Sequence, residues 1–199
     1  MMMVIMKDIA QEAKPALILF IAFAFITGLA YPLLITGIVQ TAIPEKAGGS
    51  LIVVNDRIVG SELIGQNFAS PGYFQGRPSA VGYAANGSGA SNLGPASARL
   101  MDQVSQRIDY LRRSNNLSQN VRVPGELALA SASGLDPHIS IQGALIQVSR
   151  IAEARRLPES VVRNLVYSHA EPAIFGLFGT EKVNVLRLNL ALDEEMRRS

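Results

Sequence analysis

Residues 15–44 carry no Asp, Glu, Lys or Arg, and within them the run 16–39 reads ALILFIAFAFITGLAYPLLITGIV. A helix rises about 1.5 Å per residue, so roughly 20 such residues cross a hydrocarbon layer about 30 Å thick, and this run is long enough. The other apolar stretches, 127–132 and 173–178, are far too short. A buried core helix would show a polar stripe, which this run lacks. A cleaved signal peptide has an apolar region of about 7–15 residues ending at a small-x-small site. Here the nearest such site, Gly28-Leu29-Ala30, is followed by more apolar sequence. The reading is one uncleaved transmembrane anchor, residues 15–43, after a leader of residues 1–14, with Gly28 and Pro32 as its kink sites.

Orientation rests on the Lys and Arg residues near the span. Lys7 and Lys14 precede it and Lys46 and Arg57 follow, so the side chains tie. The free amino terminus adds a positive charge in front, which favours the N-terminus inside and the following domain outside. The chain has no cysteine, which excludes disulfides and thiolate metal sites but fits either side of a membrane.

Residues 44–199 suffice for one soluble domain with its own core, and their mixed pattern is that of an α+β fold. In residues 50–60 (SLIVVNDRIVG), two β-branched runs flank Asn55-Asp56, a hairpin pattern. Residues 69–94 are rich in Gly, Ser, Pro and Asn and read as a long irregular loop, of a length that usually serves function. From Pro95 to about Ser114-Asn115 the spacing of Leu100, Met101, Val104, Ile108 and Leu111 predicts a helix. Two more helices are predicted over 141–157 and 158–169, split by Pro158. Residues 183–190 (VNVLRLNL) read as a strand, and 193–199 as a solvated helix end.

Most familiar chemistry is missing. No GxxxxGK[ST] phosphate loop occurs, and the two histidines, His138 and His169, have no His or Cys neighbour at metal-ligand spacing. A net charge of +2 is an ordinary mixed surface without the clustered basic face that nucleic acid requires. Ser133, Asp136 and His138 fall together in SASGLDPHIS, yet three residues so close along a proline-stiffened stretch do not easily converge as a triad. A turn role, with Asp136 bonding nearby amides, fits better. Val81-Gly82-Tyr83 echoes the core of a potassium filter but lacks its flanking Thr and Gly. Two readings from the residues alone stay open: a membrane-anchored hydrolase using Ser133, Asp136 and His138, and a surface binding module using the Gly-rich loop.

Five ordered segments carry a resemblance. GSELIGQNF (60–68), YFQGRPSA (73–80), SGASNLG (88–94), SASGLDPHIS (131–140) and VNVLRLNLAL (183–192), with Tyr-Pro-Leu-Leu at 31–34, resemble the C subunit of the Kdp-type potassium-transporting ATPase over the whole chain. Ala90 stands where that family has a glycine. The resemblance implies a non-catalytic, single-pass subunit of the inner membrane, with no catalytic residue, metal or cofactor of its own. Its implied partners are a channel-like potassium-binding subunit, a P-type subunit that uses ATP, and membrane lipid. It further implies a catalytic chaperone that raises the pump's affinity for ATP, with a glutamine in the region of QVSR (147–150) touching the nucleotide; by their chemistry the Gln147 amide suits ribose or adenine and the Arg150 guanidinium suits phosphate, which makes both nucleotide-contacting candidates. Gln147 also falls beside the stripe of Leu145, Val148, Ile151 and Ala152, so packing is an equal reading. ATP is cytoplasmic, so a domain outside the membrane would act on ATP affinity only by coupling across it.

Overall fold

The computed structural model describes residues 2–173, 176 and 179–198, so the short apolar stretch 173–178 and the end of the tail fall mostly outside the described residues. The chain divides into two compact units, Met1–Ser50 and Leu51–Ser199. In the first, α1 (Met2–Phe25) runs through a π-helical turn (Ile26–Ala30) into α2 (Tyr31–Ala42), followed by the single turn α3 (Pro44–Ala47). Residues Glu12–Ala42 form a candidate membrane span of 31 residues with mean hydropathy 2.4, and protein covers none of its most apolar stretch.

The irregularity expected at Gly28 and Pro32 is this widened turn. Pro32 has no N–H, and its ring would crowd the carbonyl of Gly28 one turn back. Widening shifts the pattern by one residue, so the N–H of Tyr31 donates to the carbonyl of Ile26. Backbone groups in hydrocarbon need partners within the helix. Polar side chains there also turn inward: the Thr27 hydroxyl donates to Phe23 O (2.7 Å), and that of Thr41 to Gly37 O (2.9 Å).

The second unit opens with the antiparallel hairpin β1 (Leu51–Val54) and β2 (Arg57–Ser61). Asn55 (φ 51°) and Asp56 (φ 60°) both take the left-handed conformation, as a two-residue turn matching the strand twist requires. From residue 62 to 97 the chain forms no helix or strand, an irregular segment longer than the 69–94 expected. α4 (Ala98–Ser114) starts three residues after Pro95 because Ser97 caps it, its Oγ accepting from Leu100 N.

After α5 (Gly125–Ala128), β3 (His138–Ser140), α6 (Ile141–Leu145), α7 (Val148–Arg155), α8 (Glu159–Ser168), β4 (Ala170–Glu171), β5 (Lys182–Asn184) and α9 (Val185–Arg198) complete the unit. β5 is central in a small antiparallel sheet of order β3-β5-β4, with Ile139 and Ala170 both facing Val183. Phe74 joins Leu111, Val148, Ile151, Val162, Val166, Val183, Leu188 and Leu192 in one core.

Two sequence readings need correction. The helix expected over 141–157 breaks at Ile146-Gln147, where Gln147 turns its side chain to other backbone. It then ends at Arg156, whose left-handed φ of 57° closes the helix before Leu157 and Pro158. The strand expected over 183–190 is a strand only to Asn184; from Val185 the chain is helical. Asn184 Oδ1 accepts from Arg187 N at 3.2 Å, an N-terminal cap that starts α9. Val185, Leu188 and Leu192 are then buried at helical spacing, and the slipped alternation at Val185-Leu186 was the sign of that period.

The burial pattern of α9 is open to test by mutation. In the helix Leu188 is fully buried while Arg187 is exposed in an ion pair with Glu62. Leu188→Ala should cost about 2–5 kcal/mol in urea unfolding followed by far-UV circular dichroism. Arg187→Ala should cost less than about 1 kcal/mol. Equal losses would contradict that burial pattern.

Candidate functional site

The residues 71–75, PGYFQ, leave a turn in which Tyr73 N donates to Ser70 O (3.2 Å) and enter the domain without a strand beside them, and a buried backbone must find partners for every N–H and C=O. Side chains supply them. Asn189, on α9, accepts from Phe74 N (2.8 Å) and donates to Phe74 O (3.0 Å). Gln147 does the same for the next residue, accepting from Gln75 N (2.8 Å) and donating to Gln75 O (3.1 Å). Arg150 donates to the carbonyls of Pro71 and Tyr73, and Arg155 to that of Gly72 at 2.7 Å. At the rim, Asp193 accepts from the Tyr73 hydroxyl (3.0 Å) and pairs with Arg155 (2.8 Å), whose guanidinium lies 4.3 Å from the Tyr73 ring centre.

Both candidates from the sequence, Gln147 and Arg150, lie in this latch. Gln147 is fully buried, and its amide uses its whole capacity. Oε1 accepts from Gln75 N and from Arg150 Nη2 (2.8 Å), while Nε2 donates to Gln75 O and to Gly143 O (3.0 Å). Arg150 is 7% exposed and donates to neutral oxygens, among them Asn115 Oδ1 at 2.8 Å. Burial lowers its pKa, opposed by Tyr110. Reasoning from sequence missed Asn115, Asn189 and Arg155. The signal was there for Asn189, a lone amide on the apolar face of VLRLNLAL.

The Ser133, Asp136 and His138 neighbourhood is organised differently from a triad. Ser133 Oγ accepts from Leu135 N (3.1 Å). Asp136 accepts from His138 N (3.0 Å) and pairs with Arg77 (2.9 Å), the turn role expected of it. The His138 ring sits 3.8 Å from Asp136 and 3.5 Å from Glu171. Burial and the nearby Lys182 lower its pKa, more than Glu171 and Asp136 raise it. A polar cleft of about 350 Å³ is lined here by Arg77, Glu126, Asp136, His138, Ser140 and Lys182. A second cleft, of about 290 Å³, includes Phe68, Gln75, Tyr83, Arg107 and Tyr110. It meets the latch through Gln75, whose Nε2 donates to the Tyr110 hydroxyl (3.3 Å).

Comparison with known proteins adds family evidence. Residues 13–194 match the family model described as KdpC: K+-transporting ATPase, c chain. The chain is 51% identical over 183 residues to the potassium-transporting ATPase KdpC subunit of Polaromonas naphthalenivorans, covering 90% of this chain and 93% of that one. It is 49% identical to the KdpC subunit of Nitratidesulfovibrio vulgaris, covering 90% of this chain and 92% of the other. With the KdpC subunit of Gemmatimonas aurantiaca it shares 48% identity over 186 residues, 92% of each chain.

The latch and the histidine each give a measurable expectation. Gln147→Ala strands the backbone N–H and C=O of Gln75 and should cost about 2–6 kcal/mol of stability, at about 1–3 kcal/mol per stranded group. Gln147→Glu still accepts from Gln75 N and Arg150 but donates nothing, so its loss in chemical unfolding should be smaller. For His138, the folded pKa lies below the ordinary 6.5, so in mildly acid solution the unfolded chain takes up a proton that the folded chain refuses. Its stabilising contribution is therefore full above pH 6.5 and is lost as pH falls through 6.5 toward the folded value. His138→Gln should flatten the fall in Tm over that range; an unchanged slope would mean that other groups cause it.

Proposed function

The chain belongs to the KdpC family of K+-transporting ATPase c chains, and on that premise we propose that it is the non-catalytic accessory subunit that stabilises the pump and raises its affinity for ATP. It is a subunit of a potassium-transporting ATPase and carries one candidate N-terminal span. The proposed partners are a channel-like potassium-binding subunit and a P-type ATP-using subunit. The proposed location is the inner membrane, with residues 44–199 outside.

The observation that carries this reading is the complete internal use of Gln147, all four of whose hydrogen bonds go to the chain's own groups. Contact with a nucleotide would require those bonds to break, which argues for a positioning role toward residues 71–75. Asp136 is shared between Arg77 and His138, while the Ser133 hydroxyl is held by Leu135 N in a local turn, which supports a subunit without chemistry of its own. An effect on ATP affinity is then a coupling free energy between the domain and a distant site, typically about 1–3 kcal/mol or 5–150-fold.

The test combines location with function. The cysteine-free chain makes Ser118→Cys, at an exposed position, a clean label site in the assembled complex. It should react with a membrane-impermeant thiol reagent in intact cells. In the same complexes, omission of the chain should weaken apparent ATP affinity at least severalfold, whereas Gln147→Glu should change it only a few-fold, about 1 kcal/mol. Labelling only after the cells are broken would reverse the orientation and reopen direct nucleotide contact by Gln147 and Arg150.

A further inference from the structure

The β1–β2 hairpin leaves an aliphatic patch uncovered. Leu51, Val53 and Ile58 are 53%, 57% and 65% exposed, and Val53 and Ile58 stand directly opposite each other across the two strands. A cavity of about 430 Å³, lined in part by Leu51, Ile58, Gly60, Ile64 and Tyr83, continues that face inward. Burying a large side chain at each of these positions is favourable, and contiguous exposed apolar surface of this kind marks a docking site.

The tether names the occupant. Residues 43–50 alone separate the candidate span from β1, and Pro44–Ala47 are helical. At about 1.5 Å per helical and 3.4 Å per extended residue, that segment reaches about 20 Å at most. The hairpin therefore begins within about 20 Å of the end of the candidate span, wherever the rest of its unit lies. Its turn, Asn55-Asp56, is polar and followed by Arg57, which excludes insertion tip first and favours lying flat. Within its own unit the hairpin carries Arg57 against Asp56, with Glu62 directly after it, so no net positive charge draws anionic headgroups.

We propose that the Leu51, Val53 and Ile58 face of the hairpin docks flat into the interfacial zone of the lipid bilayer, held by aliphatic burial and not by headgroup charge. The expected depth is that of other surface-lying elements, about 5–10 Å into the boundary between headgroups and acyl chains. The docked hairpin gives the domain a second point of attachment beside the span.

The test uses the full chain reconstituted alone in phosphatidylcholine vesicles. Val53→Cys, Ile58→Cys and, as a reference, Ser118→Cys each carry an environment-sensitive fluorophore. The first two should emit blue-shifted and be quenched by lipids spin-labelled near the headgroup, and Ser118→Cys should do neither. Neither result should change when anionic lipid or high salt is added. Water-like emission at Val53 and Ile58 overturns the proposal. So does a blue shift without lipid quenching, which reports self-association. A blue shift that appears only when the other pump subunits are present assigns the face to a protein and overturns it equally.

Discussion

The folded domain depends on how it solvates five residues of backbone. Residues 71–75 run from the exposed Pro71 into the core at the fully buried Phe74, yet no strand lies beside them, and peptide groups buried there cannot be left unpaired without a penalty of about 1–3 kcal/mol each. Asn189 and Gln147 each present an amide that bonds both the N–H and the C=O of one residue, as a neighbouring strand would across a hydrogen-bonded pair. Because these amides stand on α9 and just before α7, the segment joins the two helices. The break between α6 and α7 is the same event seen from the helix, since Gln147 caps no helix with its side chain and spends it on Gln75 and Gly143 O.

Arg150 solves a related problem with charge. A buried guanidinium is costly unless its donors are met, and here they meet neutral oxygens of Pro71, Tyr73, Asn115 and Gln147. The countercharge in this region belongs to Asp193, which is taken at the rim by Arg155 and the Tyr73 hydroxyl. Removing one acceptor of Arg150 therefore weakens a network of dipoles, not a single ion pair. The planar fork of arginine suits this use, which a lysine ammonium could not replace.

Local patterns carried much of the fold to a reader of the sequence alone. The charge-free run, the Asn55-Asp56 turn, the apolar spacing of α4 and the Gly- and Pro-rich irregular stretch each follow from steric or periodic rules acting within a few residues. What was hidden depended on partners far along the chain. The alternation of VNVLRLNL mixes a two-residue and a helical period, and only the Asn184 cap and the core beneath Leu188 and Leu192 decide between them. In the same way Gln147 and Arg150 were legible as notable residues, but their use is set by a segment more than 70 positions upstream.

The two units meet the solvent problem in opposite ways, and that contrast bears on how such a subunit can act. The span leaves its apolar surface to lipid or to other membrane helices, with its hydroxyls turned back onto its own carbonyls. The second unit turns its buried polar groups onto itself: the amides hold backbone, the arginines hold carbonyls, and Ser133 and Asp136 hold turns. Chemistry needs polar groups left poised for a substrate, and the buried Asn115, Gln147, Arg150, Asn184 and Asn189 are engaged with the chain's own groups. Such a domain, in the proposed non-catalytic role, acts on the pump through the surfaces it presents and the rigidity with which it presents them. In the proposed role, the latch on residues 71–75 supplies that rigidity, because it ties the long irregular loop to the helical core.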